Sequence, residues 1–212
     1  MNMKKINMNL DENPFTDFFT SRLSISFRVN AQKTYDYAKK NNLSFFILSL
    51  GCLLHGLNNV PEFRRRIIDN TVVEFEKIDA ITPILTNDNC IMEMTVTLPE
   101  KGETLKNWHD KIQNQEKSIL NTDKPALSDV HERDSLPVAN FSCIPWIDFD
   151  SLVNPIEKPN QIQPLITWGK LNKDGEIPVA ISASHIFIYG YHIKLFHDNI
   201  QNNFNNPEKI IE

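Results

Sequence analysis

The sequence predicts an α+β fold, a two-layer sandwich in which a mixed β-sheet is covered by helices. Strand patterns and helix patterns come in runs along the chain and do not alternate strictly, which separates this class from parallel α/β folds. The 212 residues are 41% hydrophobic and 23% charged, and the formal net charge is −5. This composition is typical of an ordinary globular chain. Because no linker-like segment interrupts residues 1–212, we expect a single domain.

The N-terminal part of the chain predicts a helix, a strand and a second helix. Asn13-Pro14 marks a helix start with proline in the first turn, and the phenylalanines up to Phe19 would form its inner face. Residues 23–29 alternate between apolar and polar side chains, which is the period of a half-buried strand. Asn30 is expected to cap a helix that runs through Lys40.

The middle of the chain predicts a buried helix followed by strands. Residues 44–60 are apolar nearly all round, which is typical of a central helix, and Pro61 ends it. The runs 63–68 and 71–78 predict a hairpin, because the Asp69-Asn70 pair between them tolerates the dihedral angles of a tight turn. Two further strands are expected at 81–85 and 91–98.

The C-terminal half adds an amphipathic surface helix, more strands and a last helix. The helix covers 103–120 and is followed by a polar loop that contains Pro125. Asp174-Gly175 is a turn signal between two of the strands, and a final amphipathic helix follows Gly190. The strands of this half are expected at 136–143, 164–171 and 177–185.

Charge and hydropathy argue against nucleic acid and membranes as partners. The densest basic cluster, Arg64-Arg65-Arg66, is three residues long and is expected to be a solvated strand face. The apolar run at 45–57 is too short to span a bilayer. No apolar segment of a secretory signal follows the N-terminal lysines, so we expect a cytoplasmic protein.

Metal chemistry and several common enzyme classes lack their signatures. Cys52, Cys90 and Cys143 are odd in number and lie in apolar surroundings, which favours reduced core thiols over disulfides. His192 and His197 do not share a helix face, so no metal site is predicted. The sequence also lacks the glycine motifs of serine hydrolases, P-loop enzymes and dinucleotide oxidoreductases.

His185 is the strongest catalytic candidate. It ends an apolar strand, and Gly190 opens a helix shortly after it, so the histidine is well placed for a cleft. A neutral imidazole can take the proton of an attacking hydroxyl group near neutral pH. From the residue type alone, a structural histidine is the alternative interpretation.

Four segments together resemble the chloramphenicol acetyltransferase family. The family's C-terminal histidine motif reads S-H-I-F-I-Y-G-Y-H at 184–192 in this chain. The family's asparagine-to-arginine pattern after the long helix reads N-N-V-P-E-F-R-R-R-I at 58–67. Two shorter matches are I-P-W-I-D-F at 144–149 and L-I-T-W-G-K at 165–170. The matches follow the family's order and span residues 10–205.

The resemblance implies a fold, a reaction and an assembly. It implies a homotrimer with each active site between two subunits, where acetyl-CoA and a small hydroxylated acceptor enter a tunnel from opposite ends. In that family a histidine at the position of His185 is the general base, and Thr167 matches a threonine that holds the tetrahedral intermediate through water. The reaction needs no covalent acyl-enzyme and no metal. The tryptophans of the shorter matches, Trp146 and Trp168, are expected to lie in the core.

Two positions depart from the family's pattern. Asp148 replaces a serine that donates to the oxyanion, and an ionised carboxylate there would repel it; one lost donor costs about 3–4 kcal/mol of transition-state stabilisation. Tyr189 replaces an aspartate that pairs with an N-terminal arginine in the family, and residues 10–15 contain no arginine. Losing both partners leaves no buried charge unpaired, so the fold is expected to survive.

Three interpretations follow from these residues. The first is a CoA-dependent O-acyltransferase that uses His185 as general base, on an acceptor that need not be chloramphenicol. The second, favoured by Asp148 and Tyr189, is a catalytically impaired member that binds a small molecule or partner at the trimer-interface tunnel. The third is an unrelated α+β protein with accidental matches.

Overall fold

The chain forms two β-sheets and a layer of helices in a computed structural model that describes residues 2–88, 91–120 and 134–211. The helices in these ranges are α1 (Gln32–Asn41), α2 (Phe45–Asn58), α3 (Leu105–Leu120) and α4 (Gly190–Asn205). The strands are β1 (Met3–Lys5), β2 (Arg22–Asn30), β3 (Arg65–Ile68), β4 (Thr71–Phe75), β5 (Asp79–Leu85), β6 (Ile91–Val96), β7 (Val138–Ile144), β8 (Leu165–Gly169) and β9 (Glu176–Ser184).

The larger sheet is mixed, as the sequence predicts. Its strand order across the described residues is β2-β9-β8-β7-β5-β6. The pairs β5–β7 and β7–β8 are parallel, whereas the remaining neighbours are antiparallel. Strand β9 therefore lies near one side of the sheet, with β2 as its outer neighbour and β8 as its inner neighbour.

The two faces of this sheet differ in chemistry. On one face, side chains such as Ile166, Trp168 and Ile181 pack into a single apolar core with residues of α2 and α4. The opposite face carries polar side chains at the alternating positions, because successive residues of a strand point to opposite sides. The polar face includes Arg22, Ser24, Ser26 and Arg28 of β2, Ser182 and Ser184 of β9, and Thr167 of β8.

The central helix α2 is built as its sequence predicts. The Ser44 hydroxyl accepts a hydrogen bond from the N–H of Ile47 and caps the helix. Most side chains from Ile47 to Leu57 are buried, which fits a helix that is apolar nearly all round. Trp168 of β8 stacks on Phe46 at a ring separation of 5.8 Å and joins this helix to the sheet.

The smaller sheet contains the predicted hairpin. Strands β3 and β4 pair antiparallel around Asp69 and Asn70, and both turn residues have positive φ angles, 47° and 57°. Asparagine and aspartate tolerate this left-handed region better than other non-glycine residues do. Residues 61–64, which the sequence assigns partly to the first strand, form a short 3₁₀ helix that begins at Pro61.

The predicted helix after Asn13-Pro14 is wrong, since these residues form turns. Asn13 Oδ1 accepts the N–H of Phe15, and the Thr16 hydroxyl donates to the carbonyls of Leu10 and Asn13. Local side-chain bonds of this kind satisfy backbone groups that a helix would otherwise use. Phe19 is 86% exposed and belongs to no inner face. Downstream, the N-cap position of α1 is Ala31, but the side chain of Asn30 accepts the N–H of Gln32 and so caps the start of this helix as predicted.

The expectation of a solvated face at Arg64-Arg65-Arg66 is also wrong. Arg66 is completely buried and donates to the carbonyls of Phe63, Arg65, Leu136 and Val138. Burial lowers its pKa to about 10, and the nearby Asp134 partly offsets this. The basic cluster therefore ties chain segments together inside the protein.

The described cysteines are free thiols. Cys52 is fully buried in α2 and Cys143 is half-buried at the end of β7. Burial raises the pKa of both thiols, that of Cys143 to about 12. Cys90 and the loop around Pro125 lie outside the described residues.

Candidate active site

His185 lies in a tight turn directly after β9. Its N–H donates to the carbonyl of Ser21 at 2.6 Å, and the N–H of Ile188 donates back to the carbonyl of Ser184 at 2.9 Å. The side chains of Ile186 and Ile188 are buried in the core. The backbone of the histidine is thus fixed on both sides, as a catalytic group requires.

The imidazole ring of His185 is held by aromatic neighbours. Phe15 stacks on it with a centroid separation of 3.8 Å and an interplanar angle of 13°. Tyr189 meets it edge to face at 5.4 Å. Ring atom Nδ1 is buried and has no hydrogen-bond partner within the described residues. Packing, and not a hydrogen bond from a described residue, therefore orients the ring.

Tyr189 and Gly190 form the start of α4. The N–H of Tyr189 donates to Nδ1 of His192 at 3.0 Å, which requires this nitrogen to be unprotonated. Burial lowers the pKa of His192; Glu62, at 4.0 Å from its Nε2, acts in the opposite direction. A side chain at Gly190 would meet nothing within 4 Å in the described chain.

Thr167 belongs to a different region, a cavity of about 420 Å³ on the polar face of the sheet. The cavity lining is mostly apolar with a few polar groups, the usual composition of a small-molecule site. The Thr167 hydroxyl donates to Oδ1 of Asn154 at 2.5 Å, and both side chains are buried. With its hydrogen committed to Asn154, the hydroxyl oxygen is left to accept a hydrogen bond, for example from a water molecule.

Asp148 is held in an ion pair with Arg28. Its Oδ1 lies 2.6 Å from Nη1 of Arg28, while Nη2 of the same guanidinium reaches Asp150 at 3.0 Å. Hydrogen bonds to Asp148 and Asp150 raise the pKa of Arg28. The segment that carries Asp148 passes closely over β8. A Cβ atom at Gly169 would lie only 2.5 Å from the carbonyl oxygen of Ile147, so this position has no room for a side chain.

The structure brings together some predicted site residues and separates others. His185 and Tyr189 are in contact, whereas Thr167 pairs in register with Ala180 of β9. Five positions of extended chain separate Ala180 from His185, which is roughly 17 Å at about 3.4 Å per residue. Asp148 is more distant still, because its partner Arg28 pairs with Pro178. Within one chain these residues do not form a single site.

Several residues of both regions escaped the sequence-based prediction. Asn13 and Phe15 contact the His185 turn from the N-terminal segment, Asn154 binds Thr167, and Arg28 binds Asp148. Asn13 and Phe15 do fall inside the predicted N-terminal segment, but as parts of a helix. The contacts of Asn13, Phe15 and Arg28 join residues 120 or more positions apart and leave no local pattern in a single sequence. Asn154 is near Thr167 in the sequence but lies in a loop without a regular period.

Large apolar side chains are exposed next to both regions. Trp146, predicted to be in the core, is 72% exposed, and its neighbour in the sequence Ile147 and the cavity-lining Val153 are also exposed. Phe18 and Phe19 are exposed near the His185 turn. Exposed apolar groups that cluster in this way mark interaction surfaces more often than chance.

The described ranges contain no group of three His, Cys, Asp or Glu side chains that is placed to hold a metal ion. None of the helices described is both long and apolar enough to cross a bilayer.

Comparisons with known proteins agree with the resemblance seen in the sequence. The profile of the chloramphenicol acetyltransferase family matches residues 1–201. A chloramphenicol acetyltransferase of Staphylococcus aureus is 25% identical over 183 residues, which cover 84% of this chain and 83% of that protein. A solved structure of a chloramphenicol acetyltransferase is 25% identical and superposes with a TM-score of 0.81. The match covers 96% of this chain and 100% of that chain.

A more distant structure shares the fold alone. A dihydrolipoamide acetyltransferase of Azotobacter vinelandii is 12% identical and superposes with a TM-score of 0.67 over 96% of this chain and 88% of that protein. The predicted α+β fold of the acyltransferase type is thereby confirmed.

Proposed function

Because the chain belongs to the chloramphenicol acetyltransferase family, we propose that it transfers an acetyl group from acetyl-CoA to a hydroxyl group of a small molecule, with His185 as the general base. The observation that carries this proposal is the way His185 is held. Its backbone is fixed by Ser21, its ring is stacked by Phe15, and its Nδ1 is buried. The other ring nitrogen, Nε2, is therefore the atom that we assign to proton exchange.

The chemical step follows from this assignment. The unprotonated Nε2 of the His185 imidazole takes the proton of the acceptor hydroxyl as the hydroxyl oxygen attacks the thioester carbonyl. A C–O bond forms and the carbonyl oxygen becomes an oxyanion. The C–S bond then breaks, the carbonyl re-forms, and the proton on His185 passes to the leaving thiolate. The imidazole is neutral again, so it can serve the next turnover.

We further propose that each active site is built by two copies of the chain in a homotrimer. Within one copy, the cavity at Thr167 lies roughly 17 Å from His185 along the sheet, too far for one water molecule to connect them. A heterologous contact between copies can bring the His185 turn of one copy to the cavity of the next, and with a rotation of about 120° between copies such a contact closes in a ring of three. The exposed apolar side chains near both regions support this arrangement.

The cavity at Thr167 would then receive the acceptor. Its volume of about 420 Å³ and its apolar lining fit a compact molecule with a hydroxyl group directed toward His185. The Thr167 hydroxyl, held by Asn154, can accept a hydrogen bond from a water molecule that in turn donates to the oxyanion.

An acetyl-transfer assay tests this function. The purified protein is given acetyl-CoA with chloramphenicol and with a panel of other hydroxylated acceptors, and release of the CoA thiol is followed. We expect acceptor-dependent thiol release that falls at least roughly 1,000-fold in His185→Asn, since loss of a general base costs a large factor. Thiol release that does not depend on His185, or none with any acceptor, contradicts the proposal.

The ion pair at Asp148 favours a second candidate, a catalytically impaired member that binds a small molecule or partner at the subunit interface. The carboxylate is charged and tied to Arg28 at 2.6 Å, so it donates no hydrogen bond to an oxyanion. Tyr189 also stands where the family has an aspartate.

Asp148→Ser separates the two candidates, with Asp150→Ser as the matched control. Both changes remove one carboxylate from Arg28, but serine is the family's residue only at the first position. If the second candidate is right, Asp148→Ser creates or raises acetyl transfer by roughly 100-fold, and Asp150→Ser leaves it unchanged. If transfer is already efficient in the parent chain and falls in Asp148→Ser, the first candidate stands.

A further inference from the structure

We propose that Asn13 is a positioning residue that sets the orientation of the His185 imidazole. This inference rests on the proposed role of His185 as general base. The side chain of Asn13 is only 6% exposed. It lies in the turn that precedes β2, more than 170 positions away from the histidine in the sequence.

The Asn13 amide bonds to the histidine turn and to the backbone of Phe15, whose ring covers the histidine. Its Nδ2 donates to the carbonyl of Ile186, the residue after His185, at 3.0 Å. Its Oδ1 accepts the N–H of Phe15 at 3.0 Å. One planar group therefore fixes the distance between the His185 turn and the backbone of Phe15.

The His185 ring depends on this arrangement because little else orients it. In many catalytic histidines a hydrogen bond to one ring nitrogen sets the tautomer and the rotation of the ring. Here Nδ1 has no such partner within the described residues. The ring is instead restrained by Phe15, which stacks on its face at 3.8 Å, and by Tyr189 at its edge.

The chemistry of the amide suits this task better than that of a charged group. An amide supplies a donor and an acceptor at the same time without a net charge. No cation is needed to compensate it, so an uncharged tyrosine can stand at position 189 without leaving a buried charge unpaired. Replacing Asn13 by alanine would leave the buried Ile186 carbonyl and the Phe15 N–H without these partners.

The test combines a spectroscopic signal of the ring with kinetics. The protein is labelled with ¹³C-histidine, and the His185 resonance is assigned by its loss in His185→Asn. We expect the stacked Phe15 ring to shift this resonance upfield in the parent chain. In Asn13→Ala the upfield shift is lost, and kcat falls roughly 10- to 100-fold while KM for acetyl-CoA changes by less than about threefold.

Asn9→Ala is the matched control. Asn9 lies in the same N-terminal segment and accepts the N–H of Asp11 in a similar local turn, but it is exposed. This variant should keep the parent resonance and kcat. Asn13→Asp provides a second variant that keeps an acceptor for Phe15 but places a carboxylate oxygen against the Ile186 carbonyl, so kcat should fall there too. Asn13→Asp tests the positioning role of Asn13 if the Asn13→Ala variant does not fold.

The readouts separate this inference from the proposed function. If neither folded Asn13 variant moves the His185 resonance, the positioning role is wrong, whatever the activity. If the parent chain transfers no acetyl group but Asn13→Ala moves the resonance, the proposed function fails and the structural dependence of the ring on Asn13 stands. An Asn13→Ala variant with an altered KM and an unchanged kcat also overturns the positioning role.

Discussion

Arg22 and Arg28 stand on the same face of β2 but differ in their surroundings. Arg22 donates to Oγ and the carbonyl of Ser182 and to the carbonyls of Gln161 and Gln163. Burial lowers its pKa to about 10, and the charge of Asp134 partly offsets this. Arg28, in contrast, pairs with two carboxylates near the surface. Arg22 therefore ties the 161–163 segment to the sheet edge next to His185.

We predict that Arg22→Met lowers the free energy of unfolding by about 3 kcal/mol, because three carbonyl oxygens lose a charged donor in a mostly buried setting. Arg28→Met on the same strand should cost much less than Arg22→Met, since exposed ion pairs stabilise little. Urea unfolding of both variants at neutral pH measures the difference. Equal losses in the two variants would show that the carbonyl contacts of Arg22 do not stabilise the fold.

At the residue scale, the sequence indicates which residues are candidates for the site but not which contacts their side chains make. His185 and Thr167 are candidates because their neighbours match a motif; Thr167 lies in β8, and His185 lies in the turn directly after β9. Asn13 was missed because a buried amide between distant segments follows no local pattern. Asn154 lies only 13 positions before Thr167 but in a loop, where side chains follow no regular period. Asp148 was predicted as a departure from the family, but its ion pair with Arg28, 120 positions away, became visible only in three dimensions.

Among the elements, α4 links the candidate site to the core. Tyr189 is its N-cap residue and His192 lies in its first turn, while its buried side chains Ile193, Phe196 and Ile200 pack against the rest of the core. The bond from the Tyr189 N–H to Nδ1 of His192 satisfies a donor at the start of the helix. Protonation of His192 breaks this bond, so the helix start is sensitive to pH.

We predict that His192 makes the fold less stable as the pH falls. Burial lowers the pKa of His192 below its ordinary value of about 6.5, so the unfolded chain binds the proton at a higher pH than the folded chain. The stabilisation by neutral His192 is complete above the unfolded-state pKa and declines as the pH drops through it. The free energy of unfolding should therefore fall more between about pH 7 and pH 5 in the parent chain than in His192→Asn.

The asparagine in this variant keeps an acceptor for the Tyr189 N–H but does not titrate. His197→Asn is the control for replacing a histidine of this helix by asparagine, because this histidine lies outside the first turn and has a more exposed ring than His192. Parallel pH profiles for the parent chain and His192→Asn would contradict the role assigned to His192.

At the scale of elements, periodicity predicted strongly amphipathic or apolar segments correctly. Strand β2, helix α2 and helix α4 formed where the alternation or helical spacing of apolar side chains placed them. The segment after Asn13-Pro14 failed, because Asn13 and Thr16 bond to nearby backbone groups and stabilise turns instead. The clustering of phenylalanines suggested an inner helix face, yet Phe18 and Phe19 remain exposed on this chain.

At the scale of the whole molecule, the two regions that we propose as parts of one site lie apart on the chain. The His185 turn lies beyond the end of β9, and the Thr167 cavity lies on the polar face of the sheet. Exposed apolar side chains accompany both. The sequence motifs imply a site between subunits only through their resemblance to the family. The strand register adds the distance between the two regions on which our proposal of a second copy rests.

The measurement that tests this account most directly is subunit mixing between two inactive variants. His185→Asn removes the proposed base, and Ser142→Phe fills the cavity, because Ser142 lies in its lining beside Thr167. Each variant alone should be inactive. Co-expressed in equal amounts and assembled at random, they should regain roughly a quarter of the parent activity, since each mixed cyclic trimer contains one site built from two intact parts. A mixed preparation that assembles as trimers but stays inactive would contradict a site shared between copies.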